Sequence, residues 1–174
     1  MAEIIHEFIS EEKVNERIRE IGAQITKDYE GEELYVITIM KGAIYFATEL
    51  TKRIEVPVIL DFMAASSYGA DTKSSGVVKI TRDLDESLAG KNVIVVEDII
   101  DTGRTLSYLL ELLKKRNPKS IKLCTLLDKP DRRIAQVDVD YVGFVVPDEF
   151  IVGYGLDYAQ KYRNLPFIGT LEFK

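Results

Sequence analysis

Apolar residues at helical spacing open the chain. They follow Ser10, a good N-cap residue, and Glu11 and Glu12, which the helix macrodipole favours in a first turn. The apolar positions are Val14, Ile18, Ile21 and Ile25. Their intervals of three and four residues predict an amphipathic helix that ends near Gly31.

Farther along, the apolar residues form short continuous runs separated by polar turns. Such runs predict strands, and the first of them, which is nearly continuous, suits a strand that is covered on both faces. They lie at 34–40, 56–64, 77–81, 93–96, 121–127 and 141–146. Between them, apolar residues at helical spacing predict helices over about 45–53 and 106–116. Strands that alternate with helices predict an α/β fold with a mainly parallel sheet flanked by helices.

Length and composition narrow the class of protein. The 174 residues suit a single domain, and 46% apolar with 30% charged residues is the balance of a folded protein. The formal net charge of −6 disfavours a surface that coats nucleic acid. No apolar run approaches the roughly 20 residues of a membrane-spanning helix, and no secretory signal is visible. We therefore expect a cytoplasmic protein that binds neither nucleic acid nor membranes.

Two residue types that often carry catalysis occur only once. Cys124 lies inside an apolar run, which favours a buried role, and it has no partner for an internal disulfide. His6 is the single histidine and lies near the N-terminus. A Ser-His-Asp or Cys-His catalytic site is therefore disfavoured, and a metal site with two histidines is excluded.

Candidate chemistry follows the apolar run at 93–96. The residues there read Glu97-Asp98-Ile99-Ile100-Asp101-Thr102-Gly103-Arg104-Thr105. Gly103 permits a tight turn, so that N–H groups at a helix N-terminus and the hydroxyls of Thr102 and Thr105 can converge on a phosphate. Carboxylates just before such a loop suggest that a divalent metal or a sugar diol lies between them and the anion. The alternative is a plain strand-to-helix turn in which Asp101 caps the helix.

The sequence lacks the other common phosphate-binding motifs. No Gly-x-x-x-x-Gly-Lys-[Ser/Thr] occurs, and Gly153-Tyr154-Gly155 has no third glycine at Tyr158. An ATP-binding P-loop and a Rossmann dinucleotide site are therefore disfavoured.

The segment from Val95 to Thr105 resembles the phosphoribosyl-pyrophosphate signature of the type I phosphoribosyltransferases, specifically the 6-oxopurine branch, the hypoxanthine-guanine phosphoribosyltransferases. Further segments resemble that branch in the same order along the chain. They are Met40-Lys41-Gly42-Ala43, Ser67-Tyr68, Leu127-Asp128-Lys129-Pro130, and the stretch from Val146 through Tyr158 to Arg163. The resemblance implies one domain over 1–174, with a core at about 34–135 and a small hood at about 136–174 to which the N-terminus contributes.

The resemblance implies a role for each matching residue. Asp101 is expected to exchange a proton with purine N7, and Ser67 and Tyr68 to begin a lid. The residues expected to bind the 5′-phosphate of phosphoribosyl pyrophosphate are Asp101, Thr102, Gly103, Arg104 and Thr105. The expected ligands of the pyrophosphate group are Lys41, Gly42 and Arg163. The expected purine ligands are Lys129 for the 6-oxygen, Phe150 by stacking, Ile151 through its backbone, and Asp157.

A Mg²⁺ ion is implied as well, with Glu97, Asp98 and Asp157 as the candidate metal ligands. Glu97 and Asp98 are also expected to hold the ribose hydroxyls, directly or through the metal. Because consecutive residues of a regular strand point to opposite faces, Glu97 and Asp98 are not both expected to touch one ion. In the family, the bond before Lys41 can be cis.

The activity implied by the resemblance is transfer of a phosphoribosyl group to hypoxanthine or guanine, by a homodimer or homotetramer. An alternative from another class is a regulator that keeps the phosphoribosyl-pyrophosphate pocket and binds RNA or DNA. The net charge opposes the regulator, as do Lys129, Phe150 and Asp157, which suit a purine-transfer site. An adenine or orotate enzyme is disfavoured because Asp101 and Lys129 suit a 6-oxopurine.

Overall fold

Strands and helices alternate along the chain as the apolar runs predict. A computed structural model describes residues 1–67 and 78–174. The strands in that part are β1 (Glu3–Ile9), β2 (Leu34–Ile39), β3 (Val58–Ser67), β4 (Val78–Arg82), β5 (Asn92–Ile100), β6 (Ser120–Asp128), β7 (Tyr141–Val145), β8 (Ile151–Val152) and β9 (Ile168–Phe173). The helices are α1 (Glu11–Asp28), α2 (Ile44–Thr51) and α3 (Arg104–Lys114), with a 3-10 turn at Pro130–Arg132.

The larger sheet has the order β4-β3-β2-β5-β6-β7. All neighbouring strands are parallel except β3 and β4, which pair antiparallel. The central strands β2 and β5 are buried on both faces, because α1 and α2 cover one face of the sheet and α3 covers the other. The prediction of a mainly parallel α/β sheet flanked by helices is confirmed.

The helices lie close to the bounds that the sequence predicts. Ser10 caps α1, and its hydroxyl accepts a hydrogen bond from Lys13 N at 3.3 Å. The four apolar residues whose spacing predicted this helix are all buried in the core. No helix among the described residues is both long enough and apolar enough to cross a membrane. Cys124 is buried, as predicted, and burial raises the pKa of its thiol.

A smaller antiparallel sheet, β1-β9-β8, joins the N-terminus to the C-terminal segment. The apolar pattern did not predict β1, because a single strand whose partner lies at the other end of the chain has no local signal of its pairing. β7 lies inside the 136–174 range expected for the hood, yet it pairs with β6 as the edge strand of the larger sheet. The part of this segment that leaves the larger sheet therefore begins after Val145.

The parallel strands bring three loops to one edge of the larger sheet. The carboxyl ends of β2, β5 and β6 meet there, which is where open parallel sheets bind ligands. Lys129 N donates to Ile100 O at 2.9 Å, so the segments that follow β5 and β6 are joined directly. The candidate site residues are built on this edge.

Asp61 on β3 is a buried carboxylate with a full set of donors. Its Oδ1 accepts from Phe62 N at 2.7 Å, and its Oδ2 accepts from Asp85 N at 2.9 Å and from the Tyr35 hydroxyl. Burial acts to raise the pKa of Asp61, but these hydrogen bonds and the nearby Arg82 hold it below the ordinary value of 3.8. The charged form of Asp61 is therefore the form that the fold stabilises.

We expect Asp61→Asn to lower the free energy of unfolding by about 2 kcal/mol at pH 7, because three donors lose a charged acceptor. A carboxyl group whose pKa is lowered by folding stabilises the fold at any pH above its ordinary pKa. This contribution is lost as the pH falls through the pKa of the folded state. The difference between wild type and variant, measured by urea unfolding, should therefore shrink as pH falls below 3.8. Asp138→Asn, at an exposed aspartate, is the control. A difference that is constant with pH would contradict this account.

Candidate active site

The loop after β5 is the centre of the candidate site. β5 continues through Ile100, four residues beyond the apolar run at 93–96, and α3 begins at Arg104. The N-cap of α3 is Gly103, with a φ of 79°, a left-handed conformation that glycine adopts without strain. The alternative in which Asp101 caps the helix is therefore wrong. The Asp101 carboxylate instead accepts a hydrogen bond from Arg132.

A first cavity, of about 190 Å³, lies over the N-terminus of α3. The residues that line it are Ile39, Ala65, Glu97, Ile99, Ile100, Asp101, Thr102, Gly103, Arg104, Thr105, Leu106 and Leu109. All five residues expected to hold a 5′-phosphate are in this set. The first N–H groups of a helix have no intrahelical acceptor and carry partial positive charge, so this end of α3 can bind an anion.

A second cavity, of about 420 Å³, lies on the other side of Asp101. The residues that line it are Ile99, Asp101, Lys129, Arg132, Asp148, Glu149, Phe150, Ile151 and Leu156. Three of the expected purine ligands, Lys129, Phe150 and Ile151, are in this set. Ile99 and Asp101 line both cavities, so the two are adjacent and Asp101 lies at their boundary.

Lys129 is a buried lysine and does not extend into solvent as a surface lysine would. It is 8% exposed, and its Nζ donates to the carbonyl oxygen of Glu149 at 2.5 Å. Asp148 Oδ1 lies 3.9 Å from the same nitrogen. The ammonium group is therefore held at the wall of the second cavity with donors left for a ligand, since it carries three.

Phe150 supplies an aromatic ring to the second cavity. The ring is 48% exposed, and it is held edge to face against Tyr158 and Phe173 at centroid distances of 5.6 and 6.5 Å. Ile151, next in the chain, is buried and pairs with Thr170 of β9 through its backbone. The smaller sheet therefore fixes both residues against the second cavity.

Glu97 and Asp98 point to opposite faces of the larger sheet, as strand geometry predicts. Glu97 lines the first cavity on the side of α3. Asp98 lies under the loop that follows β2, where a Cβ on Gly42 would come within 1.7 Å of Asp98 Oδ2. Gly155 packs against the same loop, because a Cβ on Gly155 would come within 1.9 Å of the Gly42 carbonyl oxygen.

The two acidic side chains share an environment that disfavours charge. Burial raises the pKa of Glu97 well above its ordinary value, and the nearby Asp98 adds to the rise. Burial also raises the pKa of Asp98, although the Ile99 N–H and the Arg163 charge oppose the rise. Removing carboxylates from water is costly, so the site favours a ligand that brings hydroxyl donors or a cation.

Lys41, Asp157 and Arg163 lie together beside this loop. Gln160 Oε1 accepts from Lys41 Nζ at 3.2 Å and from Arg163 Nη2 at 3.3 Å. Arg163 Nη2 is also 3.2 Å from Asp157 Oδ1, and its Nη1 donates to Gly155 O at 2.7 Å. The bond between Met40 and Lys41 is cis. The expected pyrophosphate ligands therefore occupy one region next to Asp98.

The three carboxylates expected at a metal do not form one cluster. Residues 1–67 and 78–174 contain no group of three or more acidic, histidine or cysteine side chains arranged to hold an ion. The reason is the alternation along β5, which directs Glu97 away from Asp98. Asp98 and Asp157 do lie on the same side, close enough for the Asp157 charge to raise the pKa of Asp98. Such a donor set fits Mg²⁺, which takes one or two carboxylates and completes its shell with phosphate oxygens and water.

The expected lid begins at the edge of the described chain. Ser67 is the last residue of β3, and Tyr68 lies outside the described residues. The role expected for these two residues stays a prediction.

Sequence reasoning missed charged residues that line the second cavity. Arg132 and Asp148 both contribute side chains there, and Arg133 pairs with Asp128 and donates to Asp101 O at 3.3 Å. The signal that was available is the pair of arginines that follows Lys129-Pro130-Asp131, just after the carboxyl end of β6. Nothing in the sequence says that Arg132 reaches back to Asp101.

Comparisons with known proteins give matches over most of the chain. The family model described as "Phosphoribosyl transferase domain" matches residues 8–159. The hypoxanthine-guanine phosphoribosyltransferase of Bacillus subtilis is 52% identical over 165 residues, which is 95% of this chain and 92% of that protein. A crystal structure of a hypoxanthine-guanine phosphoribosyltransferase from Bacillus anthracis is similar, with a TM-score of 0.91, 52% identity, and coverage of 95% of this chain and 97% of that one.

A longer relative matches the same part of the chain. The bifunctional protein TilS/HprT of Listeria monocytogenes is 57% identical over 165 residues. The match covers 95% of this chain and 26% of that protein, so the chain spans about a quarter of that relative's length.

Proposed function

The chain belongs to the phosphoribosyltransferase family, and we propose that it is a purine-salvage enzyme of the 6-oxopurine branch. The proposed reaction transfers the 5-phosphoribosyl group from phosphoribosyl pyrophosphate to hypoxanthine or guanine. The products are IMP or GMP and pyrophosphate. Support comes from the names of relatives about 50% identical over 95% of the chain or more.

The observation that carries the proposal is that two adjacent cavities share Asp101. A 5′-nucleotide has an anionic end and a flat aromatic end, joined by a ribose. The first cavity offers the N-terminus of a helix for the phosphate, and the second offers an ammonium group and an aromatic ring for the base. The ribose would lie between them, near Glu97 and Asp98.

Asp101 is the proposed general acid and base. In nucleotide synthesis, N9 of the purine attacks the anomeric carbon of the ribose, the bond to pyrophosphate breaks, and the purine loses the proton on N7. A carboxylate at the boundary of the base and phosphate cavities is placed to accept that proton. In the reverse direction the same group returns it.

Lys129 and Phe150 are the proposed purine-recognition side chains. The 6-oxo group of hypoxanthine or guanine accepts a hydrogen bond from an ammonium group, whereas the 6-amino group of adenine donates and is rejected. The Phe150 ring stacks on the base, and the backbone of Ile151, with Asp157, meets the other edge of the purine. Selectivity for 6-oxopurines is therefore assigned mainly to the charge of Lys129.

Pyrophosphate and Mg²⁺ are assigned to the loop after β2 and the turn near Arg163. Lys41, Gly42 and Arg163 are the proposed ligands of the pyrophosphate group, for which the planar guanidinium is well suited. Asp98 and Asp157 are the proposed carboxylate ligands of Mg²⁺. When bound, Mg²⁺ supplies positive charge that stabilises the departing pyrophosphate.

We expect Lys129→Met to raise the KM for hypoxanthine and guanine by about tenfold or more, because a charge-assisted hydrogen bond to the 6-oxygen is lost. The KM for phosphoribosyl pyrophosphate should stay within about threefold of wild type. Steady-state kinetics with each substrate varied in turn separates the two effects. Lys114→Met, at an exposed lysine in the last turn of α3, is the control. Equal changes in both KM values would contradict the assignment of Lys129 to the base.

We also propose a cytosolic homodimer or homotetramer. The support is the family resemblance, since related enzymes of this branch commonly associate. Light scattering coupled to gel filtration measures the mass of the assembly, and a mass of 19.7 kDa, that of one chain, would contradict this proposal.

The test of the proposed function is a transfer assay with separate bases. Purified protein is incubated with phosphoribosyl pyrophosphate, Mg²⁺ and hypoxanthine, guanine, xanthine, adenine or orotate, and nucleotides are separated by chromatography. Turnover of hypoxanthine and guanine that needs Mg²⁺, with little from adenine or orotate, is the expected result. Binding of phosphoribosyl pyrophosphate without turnover of any base would favour a regulator instead. A salt-dependent gel shift with structured RNA would then test that class.

A further inference from the structure

Arg132 bridges two carboxylates in the second cavity. Its Nε donates to Asp101 Oδ1 at 2.8 Å, and its Nη1 lies 3.6 Å from Asp148 Oδ1. The Arg132 side chain is 46% exposed and that of Asp101 is 47% exposed. Within the described part of the chain, Arg132 is the side chain whose hydrogen bond holds the Asp101 carboxylate.

The turn that carries Arg132 is fastened to the loop that carries Asp101. Besides the bond from Lys129 N to Ile100 O, Ile134 N and Ala135 N both donate to Thr102 O, at 2.9 and 3.0 Å. The guanidinium of Arg133 adds its hydrogen bonds to Asp101 O and Asp128. The backbone on both sides of Arg132 is therefore fixed relative to Asp101.

An ion pair this exposed contributes little to the stability of the fold, because water screens it and ordering two side chains has an entropy cost. Its geometry has a different consequence. A general acid or base must be held within hydrogen-bond reach of the proton that it moves, and errors of about 1 Å can reduce rates by about a hundredfold. The N–H groups of a planar guanidinium point in fixed directions, so a guanidinium that donates to a carboxylate also sets its orientation.

We propose that Arg132 is a positioning residue, which orients the Asp101 carboxylate at the boundary of the two cavities while Asp148 holds the other side of the guanidinium. This inference rests on the proposed function, in which Asp101 exchanges the proton of purine N7. It adds a residue outside the matching motifs to the machinery of the reaction. Arg132 also lines the second cavity, but the role proposed for it is exerted through Asp101.

The first test compares Arg132→Gln with Arg132→Lys. The glutamine variant lacks both the charge and the guanidinium. We expect its kcat to fall by about tenfold or more, while the KM of each substrate stays within about threefold of the wild-type value. The lysine variant keeps the charge, and we expect it to recover part of kcat. Arg116→Gln is the matched control, because Arg116 forms a two-bond pair with Asp83 outside both cavities. Thermal unfolding shows that each variant folds.

The second test asks whether Arg132 acts through Asp101. In the Asp101→Asn background there is no carboxylate to orient, so Arg132→Gln should cause less than about a twofold further loss of kcat. Labelled hypoxanthine provides the sensitivity for these slow variants. Losses that multiply in the double variant would overturn the proposal, because they would mean that Arg132 acts independently of Asp101.

Two other results would also overturn the proposal. A fall in purine KM with unchanged kcat in Arg132→Gln would mean that Arg132 only obstructs the base. Unchanged kinetics would mean that Asp101 needs no partner. In each case wild-type turnover keeps the proposed function intact, whereas a wild-type chain that converts no base overturns both the function and this inference.

Discussion

Asp101→Asn is expected to lower kcat for nucleotide formation by about a hundredfold or more, while the KM for phosphoribosyl pyrophosphate changes by less than about threefold. Asparagine has nearly the same shape and can still form a hydrogen bond with Arg132, but it cannot accept the N7 proton. Loss of a positioned acid or base typically reduces rates by about 10²–10⁴-fold. The change should therefore appear in the chemical step.

Single-turnover kinetics with hypoxanthine and guanine measures that step directly. Asp83→Asn is the control, because Asp83 is an aspartate paired with an arginine outside both cavities. IMP binding should also be compared in wild type and variant. If Asp101→Asn weakens IMP binding by the same factor by which it lowers kcat, Asp101 is a binding residue and its role in proton transfer is wrong.

Gly42→Ala is expected to reduce kcat/KM for phosphoribosyl pyrophosphate by about a hundredfold. A methyl group at this position would come within 1.7 Å of Asp98 Oδ2, and the carboxylate is held by its hydrogen bond from Ile99 N. The loop cannot easily retreat, since its carbonyl oxygen packs against Gly155. Either the loop or Asp98 must move, and displacements of about 1 Å at a site of this kind have effects of this size.

Gly31→Ala separates this local effect from a general loss of stability. Gly31 has a φ of 78° and no atom within 4 Å of a Cβ, so alanine there strains the backbone without touching the site. We expect a loss of stability of about 1 kcal/mol from that strain and unchanged kinetics. Kinetics of Gly42→Ala that match wild type, in a protein with a comparable unfolding temperature, would show that the close packing of Gly42 on Asp98 has no catalytic consequence.

Much of the fold could be predicted because its signals are local. Continuous apolar runs mark β2 and β5, and their burial on both faces follows from helices on each side of the sheet. The turn at Gly103 is also local, since a glycine between a strand and a helix is the residue that adopts the observed left-handed conformation. β1 was missed because its partner, β9, is at the opposite end of the chain.

The candidate site was predictable in composition but not in arrangement. The resemblance indicated both Glu97 and Asp98 as metal or ribose ligands. Because side chains alternate between the two faces of a strand, the sequence already indicated that the two do not share one ion. That Asp98 lies beneath Gly42 depends on how two loops pack, which no local pattern encodes. Lys129 is similar, because a lysine after a strand is ordinarily exposed, whereas here contacts with Glu149 O and Asp148 accompany its burial.

The most direct measurement is a crystal structure of the protein with IMP and Mg²⁺-pyrophosphate. We predict the 5′-phosphate in the first cavity at the N-terminus of α3, and the base in the second cavity, with its 6-oxygen near Lys129 Nζ and N7 within hydrogen-bond distance of Asp101. One nucleotide that spans both cavities would establish that they form a single site. A nucleotide whose phosphate binds away from α3, or whose base lies outside the second cavity, would contradict the central claim.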